Sequence, residues 1–248
     1  GLSNTNGNIL NNIIKINKSK NKKINIGSNK LSKSKNKIDF YVDFETCSDL
    51  NKSFDEYINY SSKYKLDFDL QNNSIIFMIG VGWINPYTDE WIFKSFTSDY
   101  ISEYNEKKIV KDWINYMKNI SKKYNKHKKP YVYHWSPAEV LYYNNCCQKY
   151  KLNYNIKWID LLNEFKSSPI NIKGVFNYGL KNVAKQMHKN KMITTNWEDN
   201  ELDGLGAMVA TWNIDEEVYN NKLKGIESKL TDFIEIQDII KYNEIDCK

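Results

Sequence analysis

The chain has 248 residues, 41% hydrophobic and 14% aromatic, enough apolar side chain for one large core or two small ones. Its net charge of +6 comes from 36 lysines against 30 acids with no arginine, so any phosphate contact is made by lysine point charges rather than guanidinium forks. No run has the ~18 consecutive apolar residues of a membrane span, no signal-peptide core opens the chain, and Cys47, Cys146, Cys147 and Cys247 include no C-x-x-C pair; a membrane protein and a disulfide framework are therefore not expected, and four free thiols in an intracellular compartment, cytoplasm or nucleus, are.

The charge is uneven. Residues 1–38 hold nine lysines and no acid, which leaves the remainder of the chain at −3. Residues 1–37 are Asn, Lys, Ser and Ile with no aromatic, a composition that buries too little to offset its own ordering entropy and predicts disorder. Such a segment is either a solvated tail or a basic arm that touches nucleic acid or a partner; the Ile9–Ile14 run is long enough to dock as a short helix. Residues 38–248 form the expected folded domain.

Ile38, Phe40, Val42 and Phe44 alternate with Asp39, Tyr41, Asp43 and Glu45, the two-residue period of a strand. Acids are rare inside strands. Asp43 and Glu45 on one face repel each other, so they mark either an edge strand with a solvated acidic face or a place where a hard cation such as Mg²⁺ sits. An aromatic, polar segment continues to Gln71. Ser74–Trp83 reads as a buried strand and Glu90–Thr97 as a third, with Pro86-Tyr-Thr-Asp as the turn between them. Ile101–Tyr124 has helical apolar spacing at Ile109, Trp113, Tyr116 and Met117, and Pro130 stops it.

Tyr131–Trp135 is a fourth strand. Ser136 is placed to cap a helix that has Pro137 at its first position, Glu139 in its first turn and an end near Lys151. Lys157–Leu162 suggests a fifth strand. Helices follow at Gly179–Lys189, Gly206–Asn221 and from Leu230 to the end. Three antiparallel strands followed by helix-strand-helix-strand give an α/β class: a mixed sheet flanked by helices, in the order of the ribonuclease H-like fold.

The last helix carries Tyr242 and Asp246 four apart, on one face, with Asp238 a turn earlier. Together with Asp43-Phe-Glu45, Tyr133-His-Trp-Ser-Pro-Ala-Glu139, Tyr178-Gly-Leu-Lys-Asn-Val-Ala and Asp203-Gly-Leu-Gly-Ala-Met-Val-Ala, this sequence resembles the DEDD (DnaQ-like) superfamily of 3′–5′ exonucleases, in its tyrosine-bearing subclass, and is most similar to the YprB-like ribonuclease H branch. The resemblance spans residues 39–248. It departs at Glu139, where the superfamily usually carries Asp and the YprB-like branch often carries Glu, and its relatives continue the last helix past the position of Lys248.

The resemblance implies hydrolysis of DNA or RNA from a 3′ end with two Mg²⁺ or Mn²⁺ ions. Asp43 is implied to bridge the ions, Glu45 and Asp246 to hold the one that activates water, Glu139 to support the other, and Tyr242 to orient the attacking water. Each residue has a plainer reading. Asp43 and Glu45 also read as surface acids, Glu139 as a first-turn acid complementing the helix dipole with Asp238 as its substitute in the site, and Tyr242 as a core aromatic. His134 reads as a phosphate contact or a packed side chain, Lys181 as a phosphate contact or a solvated lysine, and Phe176 and Tyr178 as base-stacking platforms or core. Two other functions fit the same motifs: the proofreading module of a family B polymerase, and a catalytically weak domain that binds nucleic acid or protein.

Overall fold

The computed structural model describes residues 4–26, 36–48, 74–125, 128–167, 170–196 and 203–248. The strand with the alternating acids is β2 (Phe40–Cys47), preceded by a short β1 (Ile24–Asn25). Its entry is clipped by Asn125, whose side chain accepts from the Lys37 and Ile38 N–H groups (3.0 and 2.9 Å) and donates to the Ile38 carbonyl (2.8 Å). β3 (Ile75–Ile84) is apolar and buried almost throughout, as a strand covered on both faces must be. A turn over Pro86–Thr88 leads into β4 (Trp91–Thr97), with Asp89 at φ 57°.

Helix α2 (Glu103–Tyr124) starts at Ser102, whose hydroxyl accepts from the Asn105 N–H (3.2 Å). It lays Ile109, Val110, Trp113 and Met117 on the sheet face made by Phe40, Val42 and Phe44. β5 (Tyr131–His134), α3 (Ala138–Tyr150) and β6 (Lys157–Asp160) complete the sheet. Its order is β4-β3-β2-β5-β6, antiparallel among β4, β3 and β2 and parallel from β2 through β5 to β6. This is the ribonuclease H-like arrangement expected from the element order. α6 (Gly204–Leu223) and α7 (Ile234–Cys247) cover the opposite face through Ala207, Met208, Trp212, Ile236 and Ile239, packed with Phe77 and Met78.

Several local features differ from the sequence reading. Leu161–Ser167 forms a short helix, α4, directly after β6, where an extension of the strand is expected. Ser136 does not start α3 as a regular cap: it sits at φ 94°, α3 begins two residues later, and its N–H donates to Asp160 Oδ1 (3.2 Å). The final segment opens as a 3₁₀ turn at Leu230–Asp232 before α7.

The largest difference is at the N-terminus. Residues 4–18 form helix α1 (Asn4–Lys18), and β1 pairs with a two-residue β7 (Asn171–Ile172). Ile9, Ile13 and Ile16 fall at helical spacing; Ile13 and Ile16 are buried, and Ile9 and Ile13 join a cluster with Ile170, Ile172, Val175 and Val183. Asn17 accepts from the Gly174 N–H (2.7 Å) and Lys173 Nζ donates to the Ser19 carbonyl (2.7 Å). The Ile9–Ile14 run thus docks within a helix, as its apolar residues allow, although composition averaged over the whole tail predicts disorder.

One buried acid outside the candidate site has a structural role. β3 bulges at Phe77, since Glu45 pairs with Met78 but Thr46 with Ile76. Beside the bulge the Ile76 N–H donates to Glu106 Oε1 (2.8 Å), and the other carboxylate oxygen accepts from Lys149 Nζ (3.3 Å) and Tyr150 OH. Glu106 is 1% exposed. Glu106→Ala strands the Ile76 N–H and the Tyr150 hydroxyl, while Lys149 keeps Glu103 at 2.8 Å, and chemical denaturation is expected to show a loss of about 3 kcal/mol.

Candidate active site

The bulge sits opposite the acidic half of β2, where both faces of the strand are buried. Up to Phe44 the strand alternates, with Asp43 half-buried; then Phe44 and Glu45 are both buried. Asp43 and Glu45 face α7, on the side of the sheet where β3 carries Gly80 and Gly82. α7 crosses this face with Ile236, Ile239, Tyr242 and Asn243 buried. That crossing carries Asp246 to the two strand acids: oxygens of Asp43, Glu45 and Asp246 all lie within 4.8 Å of one another.

These acids perturb each other. Burial, then the charges of Glu45, Asp246 and Glu139, hold the Asp43 carboxyl well above the usual carboxylate range. Burial pushes Glu45 up to about 8, against hydrogen bonds from Asn243 and Asp43 and the charge of Lys181. Three carboxylates converging with hard oxygen donors are the donor set that a divalent cation such as Mg²⁺ or Mn²⁺ fits; without a cation, Asp43 and Glu45 are held toward their protonated forms.

Tyr242 lies beside the cluster. Burial and then the charge of Asp246, to which its hydroxyl is hydrogen-bonded, push the phenol well above its ordinary value. The Lys181 ammonium sits 4.6 Å from the centre of the Tyr242 ring. Lys181 comes from α5 (Leu180–Lys189), which packs Ala184 against Tyr242.

Glu139, from the first turn of α3, is near enough to raise Asp43 but lies outside the three-acid group. It is 5% exposed, and its Oε2 lies 3.3 Å from His134 Nδ1. His134 Nδ1 also contacts the Ser136 carbonyl. Both partners are acceptors, so Nδ1 carries the proton. His134, for which the sequence offers a phosphate contact or a packed side chain, is 4% exposed, packed edge-on to Trp158, and backs Glu139.

The alternative ligand Asp238 is exposed and pairs with Lys241 at 2.8 Å, away from the cluster. Tyr178 is core, its hydroxyl donating to Asn171 Oδ1 (2.9 Å), whereas Phe176 is 75% exposed in the turn before α5.

Sequence reasoning missed Asn243. It is fully buried, and its amide Nδ2 donates to Asp43 Oδ2 at 2.7 Å. The readable signal was Gly80 and Gly82 inside an otherwise bulky strand, which marks a close approach of another element. A cavity of about 950 Å³ lies elsewhere: Tyr100, Asp215, Lys222, Ile226 and Asp232 line it, and none of the clustered acids does.

The RNase_H_2 profile of the RNase H superfamily matches residues 67–248, most of the chain, beginning after β2. No curated protein matches the chain. Among solved structures, the crystal structure of a full-length 3′-exonuclease is similar at a TM-score of 0.42 and 15% identity, over 81% of this chain and 65% of that one. The chain therefore spans just under two thirds of that protein. By the family match, joined to the five-stranded mixed sheet, this chain belongs to the RNase H superfamily.

Proposed function

We propose that the chain is a divalent-metal-dependent 3′–5′ exonuclease acting on phosphodiester bonds of DNA or RNA, of the tyrosine-bearing DEDD type and nearest the YprB-like branch. The observation that carries this reading is the convergence of Asp43, Glu45 and Asp246, acids from the first sheet-forming strand and the last helix, with oxygens within 4.8 Å of one another. Membership of the RNase H superfamily supports nucleic acid as the substrate class. The 3′ polarity and the pair of ions rest on the motif resemblance.

Asp43, Glu45 and Asp246 would hold one Mg²⁺ or Mn²⁺, and Asp43 with Glu139 the second. Bound there, the ions supply counter-charge to the phosphate and lower the pKa of water. The chain's own groups do the rest. Asp43 faces both Glu45 and Glu139 electrostatically, which suits it to the shared position. His134 holds Glu139 by a hydrogen bond from behind. Tyr242 stays protonated at neutral pH because its phenol is pushed up, so it orients by donating a hydrogen bond and does not act as a base. Lys181, held beside Tyr242, is the cation placed to meet a substrate phosphate. Phe176, exposed five residues before it, offers a face for stacking a terminal base.

The test is incubation with end-labelled single- and double-stranded DNA and RNA in Mg²⁺, Mn²⁺ or EDTA. Metal-dependent release of mononucleotides from the 3′ end is expected. Shortened internal fragments would make the chain an endonuclease, and binding without cleavage would make it a nucleic-acid-binding domain. Tyr242→Phe is expected to lower kcat by roughly 10²-fold, the scale of a lost positioning contact, with Mn²⁺ affinity unchanged in a calorimetric titration.

A further inference from the structure

β3 presents Gly80 directly opposite Asp43. A Cβ at position 80 would lie 1.7 Å from Asn243 Oδ1 and 2.9 Å from its Cγ, so the Asn243 side chain occupies the space that any other residue at 80 would fill. From there Nδ2 reaches Asp43 Oδ2 at 2.7 Å, the Asp43 carbonyl at 3.4 Å and Glu45 Oε1 at 3.4 Å. Carboxylates and carbonyls only accept, so the NH₂ end must face them, which fixes the amide's orientation. Its Oδ1, turned to Gly80, is buried and has no hydrogen-bond partner. A buried orphan acceptor is costly. The side chain keeps it because the donor end is the part that is used.

We propose that Asn243 is a positioning residue for the acid cluster. It ties one oxygen of Asp43 and one of Glu45 and leaves the remaining oxygens aimed at the cation, and Gly80 is the recess that lets it do so. The inference rests on the metal-dependent reading above. It explains the identity of both residues. Leu at 243 has the same branched shape but bulkier methyl ends and donates nothing, Asp adds a fourth repelling carboxylate, Gln is a methylene too long for the recess, and any side chain at 80 evicts the amide.

The test uses the full chain and Mn²⁺ as the probe, with Tb³⁺ luminescence lifetimes to count water molecules on the bound ion. Asn243→Leu, Asn243→Ser and Gly80→Ala are each expected to weaken Mn²⁺ binding by about 10- to 100-fold, the usual scale for losing a support of a metal ligand. Each is also expected to add coordinated water to the Tb³⁺ ion, because the loosened carboxylates leave positions to solvent. A packing role alone would lower thermal stability without moving either quantity. If Asn243→Leu does not fold, Asn243→Ser, which shrinks the side chain, carries the same measurement. Gly80→Ala and Asn243→Ser combined are expected to be less harmful than the product of their single effects, since both remove one contact. Wild-type protein that binds Mn²⁺ while all three variants bind equally well overturns the inference alone. Wild-type protein that fails to bind Mn²⁺ overturns the metal-dependent reading and the inference with it.

Discussion

Asp43→Asn is expected to abolish metal-dependent hydrolysis and, in EDTA, to make the protein more stable. The two effects have one cause. The Asp43 carboxyl is held high by burial and by the neighbouring charges of Glu45, Asp246 and Glu139. Folding therefore gathers acids that repel one another, a cost tolerated for the sake of a site. The substitution keeps shape and an oxygen that still accepts from Asn243, and it removes the cost of either holding a proton on that carboxyl or charging it beside Glu45 and Asp246. Without metal, melting is expected to rise by a few degrees, about 2–4 °C for each kcal/mol relieved in a chain of this size. In Mg²⁺ the same change removes the ligand placed among all the others. Transition-state charge stabilisation by bound metal is several kcal/mol; at about 1.4 kcal/mol per factor of ten, activity is expected to fall by about 10³-fold or more. Release of labelled mononucleotides and differential scanning in EDTA measure the two halves. Asp43→Asn that retains activity would remove Asp43 from the site, whatever its effect on melting.

The acids were legible in the sequence because they break a rule. Asp43 and Glu45 interrupt a strand pattern that has no local use for charge, and Tyr242 with Asp246 repeats at helical spacing on a terminal helix. Element order was enough to place the antiparallel strands before the parallel ones, because hairpin turns and helical crossovers leave different spacings. What stayed hidden needs three-dimensional contact. Asn243 is one polar residue on a helix with several, and only the Gly80 recess gives it a purpose. His134 adjoins the motif in sequence, yet the strand alternation turns it inward, behind Glu139. Asp238 shares a face with Tyr242 by spacing, but it is exposed between the buried Ile236 and Ile239 and its carboxylate meets Lys241 at the surface. The bulge at Phe77 leaves no mark in the residue pattern.

The same acids make metal-free stability fall as pH rises, and make metal binding strengthen. Glu45 moves from an ordinary value of 4.5 to about 8 in the folded chain, with burial as the main cause, and Asp43 is raised alongside it. Between those limits the folded state holds protons that the unfolded chain has released. More protons on the folded side means that raising the pH favours unfolding. In EDTA the cluster's contribution is therefore greatest below about pH 4.5 and is lost progressively up to about pH 8. A shift of this size corresponds to roughly 5 kcal/mol between the two ends. Asp43 and Glu45 share a hydrogen bond and titrate as a pair, so the loss belongs to both. Other groups add their own slopes, and the useful quantity is the difference from Glu45→Gln, in which the share of the slope due to Glu45 is absent. Divalent cations reverse the trend. Their binding requires ionised carboxylates and releases protons, so the rise in melting temperature caused by saturating Mn²⁺ is expected to be larger at pH 8 than at pH 6 in wild-type protein and to vanish in Asp43→Asn. A stabilisation by Mn²⁺ that is the same at both pH values would mean that the bound ion displaces no protons, and that it sits somewhere other than among Asp43, Glu45 and Asp246.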